Sequence, residues 1–286
     1  MFLIEMLKTF VLGLVEGITE WLPISSTGHM ILVNELIKNE GTFTASDLYL
    51  YVIQLGAILA VVTLYFKKLN PFSPSKTKEE RLDTWNMWGK VLVACIPAAV
   101  IGLMLDSFME HFENWQVVST TLIVYGVLFI IIEKRHKSFS TDSISNMTYK
   151  TALFIGLFQV LSIVPGTSRS GSTILGAMLV GCTRGVAAEF SFFLAIPVML
   201  GVSFLKILKY GLSMNLQDLT VLISGMLVAY ITSMVSIKFL TNYVKSHDFK
   251  FFGIYRIVLG VIVILYFGIG QIVNLACLAA LVMRGW

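Results

Sequence analysis

The sequence predicts an all-α, polytopic membrane protein with six full spans plus two re-entrant helical hairpins related by an inverted-topology repeat. Three observations lead to that class. First, 56% of the 286 residues are apolar and only 13% are charged, and the mean hydropathy is +0.82. Soluble domains carry roughly 25% charged residues and about 45–50% apolar ones. An ordinary cytosolic enzyme, a disordered chain and a coiled coil are therefore excluded. Second, six apolar stretches approach the length of about 20 residues that a spanning helix needs, and two further apolar regions are interrupted by charge, proline and glycine. Third, the two interrupted regions resemble each other at a fixed offset of 143 residues.

In chain order, the first region is 2–37, broken by Glu16, Glu20, Pro23 and the run Ser25-Ser26-Thr27-Gly28-His29. Spans follow at 49–66, 88–105 and 116–132. The second broken region is 151–183, interrupted by Pro165, Gly166 and the run Thr167-Ser168-Arg169-Ser170-Gly171. Spans at 186–208, 218–240 and 253–269 complete the set, and 270–286 is a tail left unassigned. Broken backbone at membrane depth is tolerated only inside protein or beside a wet cavity, so each interrupted region predicts two short half-helices.

Eleven Lys and Arg residues fall in loops 67–87, 133–150 and 241–252, against one in loops 39–48, 106–115 and 209–217. The positive-inside rule places the first set in the cytoplasm. Loop 106–115 is acidic (Asp106, Glu110, Glu113). With that alternation both hairpins must leave and return on one side, from opposite faces. GLVEGITEWLPISSTGHMIL (13–32) aligns without a gap on GLFQVLSIVPGTSRSGSTIL (156–175), with Gly13/Gly156, Ser25/Ser168 and Gly28/Gly171 among the identities. Repeat 1 is then about 1–132 and repeat 2 about 151–269. Such proteins place their sites near the midplane, where broken helices meet.

The formal net charge of +4 is too small to imply a nucleic-acid partner and fits a topology signal instead. Cys95, Cys182 and Cys277 lie in apolar runs without a metal-ligand or CxxC partner and read as small buried hydrophobes. The N-terminus lacks a basic n-region and a cleavage site, so it reads as mature chain.

Charges inside a membrane are costly and need a reason. Glu16 and Glu20 share a helical face, where two carboxylates repel. A divalent cation, Mg²⁺ or Ca²⁺, suits such a pair; hydrated glutamates at an interface are the plainer alternative. Pro23–His29 and Pro165–Gly171 each stop one half-helix and start another. Ser and Thr are favoured N-caps, and a helix start with free N–H groups binds anions. Ser25, Thr27, Gly28, Ser168, Ser170 and Gly171 belong to these turns, and Arg169 adds a guanidinium able to grip phosphate bidentately. His29 reads either as a satisfied core histidine or as a general base or acid. Ser26, three residues before it, would suit an activated nucleophile. Gln159 stands at the counterpart of Glu16 and would hydrogen-bond the site, whereas Arg184 and Glu189 read as interfacial anchors. Together these groups point to a metal–phosphate site.

At EGITEWLPISSTGH (16–29) and PGTSRSG (165–171) the sequence resembles the undecaprenyl-pyrophosphate phosphatase family of the bacitracin-resistance type, along nearly the whole chain to about residue 269. The resemblance implies a multi-pass enzyme of the bacterial inner membrane that hydrolyses undecaprenyl pyrophosphate to the monophosphate and recycles the lipid carrier of cell-wall synthesis. Its site would face the outer side and depend on a divalent cation. The family's glutamate pair falls on Glu16 and Glu20, its motif serine on Ser26, its histidine on His29 and its arginine on Arg169. Ser168, Ser170 and Thr173 fall on the second motif's other hydroxyls.

The expected chemistry is attack by Ser26, with His29 taking its proton, or attack by a metal-bound water, with Arg169 and the turn N–H groups stabilising the transferring phosphate. The partners are a lipid pyrophosphate and membrane lipid, not nucleic acid, and a homodimer is left open. From the residues alone, a secondary transporter for a phosphate- or carboxylate-bearing substrate is the rival reading, since inverted repeats and midplane charges occur there too.

Overall fold

The computed structural model describes residues 2–112, 114–134, 140–210 and 214–284. Glu113 of the acidic loop, Arg135 and Lys137 of the second basic loop, the side chains of Asp106, Glu110 and Cys277, and residues 285–286 lie outside the described residues.

Twelve α-helices follow one another among the described residues: α1 (Phe2–Thr19), α2 (Ser26–Leu36), α3 (Asp47–Val52), α4 (Gln54–Leu64), α5 (Phe66–Leu69), α6 (Lys78–Met109), α7 (Trp115–Lys134), α8 (Tyr149–Val160), α9 (Arg169–Leu179), α10 (Arg184–Tyr210), α11 (Leu216–Ser246) and α12 (Lys250–Arg284). Among the described residues six segments are long and apolar enough to cross a membrane: Asp47–Leu64, Lys78–Leu105, Trp115–Lys134, Arg184–Lys209, Leu216–Tyr243 and Lys250–Gln271. The chain is a multi-pass, all-helical membrane protein.

Three departures from the expected bounds matter most. The first span arrives as α3 and α4, broken at Ile53, where the Gly56 N–H bonds the Ile53 carbonyl only three residues back at 3.0 Å. That tighter step interrupts the α-helical ladder. The second starts at Lys78, ten residues early, because Thr77 and Glu80 form a reciprocal cap: the Glu80 N–H donates to Thr77 Oγ1 at 3.2 Å and the Thr77 N–H to Glu80 Oε2 at 2.7 Å. A capping box of this kind lets a helix start in a polar segment. The third is the tail, which continues α12 as far as Arg284.

Between apolar helices in lipid, close approach of backbones replaces the hydrophobic effect, and small residues permit it. α7 and α12 cross where a Cβ on Gly126 would lie 2.6 Å from the Gly253 carbonyl and one on Gly253 would lie 2.7 Å from the Gly126 carbonyl. α1 lies along α11, with Gly13 against the Gly225 carbonyl, and α8 lies along α6, with Gly156 against the Ala94 carbonyl. α1 and α8 thus each pack on a helix distant in sequence.

Two groups of contacts gather the loops. Lys68, Lys76, Asp142, Ser145 and Lys245, drawn from all three basic loops, line one cavity of about 560 Å³. Elsewhere the ends of the first hairpin meet: Lys8 Nζ donates to the Lys38 carbonyl at 3.0 Å, and the Thr44 N–H donates to Glu5 Oε2 at 3.4 Å. The end of the second hairpin meets one of the basic loops, where the Ser140 N–H bonds the Gly181 carbonyl at 3.0 Å and the Thr183 N–H bonds the Thr141 carbonyl at 2.9 Å.

Candidate active site

The site forms where the tips of the two hairpins touch. α2 and α9 each begin after a serine held at φ 74°, Ser25 and Ser168. Side chains rarely adopt that region, and holding one there costs about 1–3 kcal/mol. Each serine is retained by its cap: the Gly28 N–H donates to Ser25 Oγ at 3.3 Å, and the Gly171 N–H donates to Ser168 Oγ at 3.1 Å. An α-helix leaves the N–H groups of its first turn without intrahelical partners, the arrangement that binds phosphate oxygens.

Glu20 links the tips. One carboxylate oxygen accepts from Arg169 Nη2 at 3.1 Å and Nε at 3.3 Å, and the other accepts the Ser26 hydroxyl at 2.9 Å. Arg169 also donates through Nη1 to the Ser191 carbonyl at 2.9 Å and lies 5.8 Å from the centre of the buried Trp21 ring. Ser170 Oγ donates to the carbonyls of Glu20 and Leu22 at 3.1 and 3.3 Å, and Thr173 Oγ1 pairs with Ser191 Oγ at 2.7 Å. Ser170 and Thr173 therefore fasten α9 to its neighbours. Thr27 is exposed on the first turn of α2.

His29 is placed differently from its expected role. Its Nδ1 lies 2.7 Å from the Ser25 carbonyl, one turn back, and its Nε2 lies 2.7 Å from the Tyr255 hydroxyl. A carbonyl only accepts, so Nδ1 carries a proton and the neutral ring's Nε2 accepts from Tyr255. The Ser26 hydroxyl is bonded to Glu20, while both ring nitrogens of His29 are engaged by Ser25 and Tyr255.

Glu16 is 2% exposed, and its Oε1 has no hydrogen-bond partner among the described residues. Gln159 is equally buried, and neither end of its amide is bonded there. Among the described residues no three His, Cys, Asp or Glu side chains cluster as a metal cage. Two carboxylates with an unbonded oxygen nevertheless fit a hard cation such as Mg²⁺, which commonly binds through one or two carboxylates and substrate phosphates. Arg184 and Glu189 stand apart from the tips, paired at 2.6 Å with Glu133 and Lys68 respectively.

Sequence reasoning missed Tyr255, Ser191 and, above all, Arg256. Arg256 is wholly buried and donates to three carbonyls, Pro23 at 3.2 Å and Gly166 and Thr167 at 2.9 Å each. The available signal was a cation inside the apolar stretch 253–269, since an ionisable residue within a span marks function by default.

Comparison with known proteins shows the family to which the chain is related. A family model described as bacitracin resistance protein BacA matches residues 9–262. An undecaprenyl-diphosphatase of Enterococcus faecalis (strain ATCC 700802 / V583) is 57% identical over 265 residues, which is 91% of this chain and 96% of that protein. One from Limosilactobacillus fermentum (strain NBRC 3956 / LMG 18251) is 55% identical over 93% of this chain and 99% of its own length. One from Desulfitobacterium hafniense (strain DSM 10664 / DCB-2) is 54% identical over 96% of this chain and all of its own.

Proposed function

The chain belongs to the bacitracin resistance protein BacA family, and from that premise we propose that it hydrolyses undecaprenyl pyrophosphate to undecaprenyl phosphate and inorganic phosphate where the two hairpin tips meet. It is a polyprenyl-diphosphate phosphatase acting on a lipid pyrophosphate within the membrane. The matches give the transporter reading no support.

The observation that carries the mechanism is the chain Ser26–Glu20–Arg169, which joins a hydroxyl, a base and a cation across both tips. The prenyl chain stays in lipid while the pyrophosphate meets the N–H groups of α2 and α9. Glu20 takes the Ser26 proton as Oγ attacks the terminal phosphorus. The anhydride bond breaks, and the lipid monophosphate leaves with the electron pair. Water then cleaves the phosphoserine, returning the hydroxyl and releasing phosphate. Arg169 and the turn N–H groups meet the charge on the transferring group, the dominant contribution in phosphoryl transfer. His29, oriented by Tyr255, flanks this path. A divalent cation, Mg²⁺ or Ca²⁺, would be held by Glu16 and Glu20 and would neutralise phosphate charge.

The two halves form an inverted repeat in this reading. It is supported by Ser25 and Ser168 sharing one strained conformation, and by hairpin ends that lie beside different loops. We place the protein in the bacterial cytoplasmic membrane with the site opening outward. Exposed Thr27 and half-buried Ser26 lie on α2, whose far end is near the loop poor in Lys and Arg, while the basic loops line a cavity of their own.

The test is phosphate release from undecaprenyl pyrophosphate by purified protein, with and without a chelator. Release that the chelator abolishes and Mg²⁺ or Ca²⁺ restores is expected. No release from folded protein overturns the function; release indifferent to chelation overturns the cation alone.

A further inference from the structure

The two arginines at the tips are not equivalent. The charge of Arg169 is cancelled by Glu20. No carboxylate lies within ion-pair distance of Arg256 among the described residues; it meets only carbonyls, and its Nε is unbonded. It is wholly buried over the Tyr125 ring, 5.6 Å from its centre. It reaches Pro23 of the first tip and Gly166 and Thr167 of the second. Its Nη1 also lies 3.2 Å from where a Cβ on Gly171 would stand, in the first turn of α9.

A buried cation without a counter-ion is costly, and the chain keeps one at the junction of two anion-binding turns. We infer that Arg256 is a positioning residue that fixes the two turns at a common separation and supplies the uncancelled positive charge that draws the pyrophosphate between them. Its bonds to backbone carbonyls pass through both turns, so it polarises their peptides without touching the substrate. The bound anion supplies the missing counter-charge. The preceding residue on α12, Tyr255, holds His29, so one helical turn orients groups at both sides of the site.

This inference rests on the phosphatase reading, and wild-type turnover in the same assay separates the two: no wild-type turnover sinks that reading, not this one. The test compares Arg256→Gln and Arg256→Lys for KM with the lipid pyrophosphate, for kcat, and for inhibition by inorganic pyrophosphate. Loss of a unit charge several ångströms from a bound anion in a poorly solvated site is worth about tenfold or more in affinity. R256Q is therefore expected to raise KM and the inhibition constant by about tenfold or more, with kcat falling less, and R256K to keep both within about threefold. R256Q with a wild-type inhibition constant would overturn the inference, as would R256K as impaired as R256Q, since that would leave only packing. If R256Q does not fold, R256K decides: an inhibition constant within about threefold of wild type supports the charge, and a larger rise overturns it.

Discussion

Arg169 crosses 149 residues of sequence to hold Glu20, with Nη2 and Nε at 3.1 and 3.3 Å from one carboxylate oxygen, while the other oxygen keeps the Ser26 hydroxyl at 2.9 Å. Both members are about nine-tenths buried. Groups that act as one unit do not lose activity additively. Arg169→Ala should cost several orders of magnitude in kcat/KM, because it removes phosphate charge stabilisation and leaves Glu20 buried and unpaired. Glu20→Gln should lower kcat by about 10²–10⁴, the usual worth of a general base. The double variant should be little worse than the poorer single one. Phosphate-release kinetics on the four proteins measure this, and independent, multiplying losses would mean that the pair does not work as a unit.

Ser26 has a more specific expectation. If its oxygen becomes the attacking atom, Ser26→Ala abolishes turnover, and a quenched wild-type reaction carries one phosphate on that serine, visible by mass spectrometry. Near-full turnover in Ser26→Ala would return the attack to water.

Ser25 holds α2 by its hydroxyl from a conformation that suits glycine. Ser25→Ala keeps the backbone cost and loses the cap, so it should destabilise by about 1–2 kcal/mol. Ser25→Gly loses the same cap but relieves the backbone, and should fall within about 1 kcal/mol of wild type. Thermal unfolding of the detergent-solubilised protein orders the two; an equal loss in both would mean that the φ of Ser25 carries no strain.

The spans and both tips were legible because their signals are local. Apolar runs set the helices, and a proline followed by Ser-x-Thr/Ser-Gly set each turn. α2 begins at Ser26 and α9 at Arg169, 143 residues apart, the offset at which the two sequence segments align. What could not be read was direction within a turn of helix. Ser26 lies three residues from His29 and six from Glu20, yet its hydroxyl chooses Glu20. The packing of α12 over the tips decides where the imidazole turns, through Tyr255. Arg256 showed itself only as a cation inside an apolar stretch; its partners, carbonyls 233, 90 and 89 residues away, leave no trace in side-chain chemistry.

The crossing of α7 and α12 sets where Tyr255 and Arg256 stand, and it depends on glycine at two positions. A Cβ on Gly126 would lie 2.6 Å from the Gly253 carbonyl and 2.7 Å from Ile257 Cγ1. Both are closer than real contacts allow, and one partner is backbone that cannot rotate aside. Gly126→Ala must push the helices apart, at a cost of about 1–3 kcal/mol for overpacking. The shift also moves Arg256 relative to the tips, so activity should fall by more than the loss of folded protein explains. Gly268→Ala, on the same α12, meets nothing within 4 Å. It should be neutral or raise stability by up to about 1 kcal/mol, the helix preference of alanine over glycine. Thermal unfolding and phosphate release measured together test both halves: equal stability in the two variants would show that the crossing tolerates a wider separation, and full activity in a destabilised Gly126→Ala would show that α12 does not set the site.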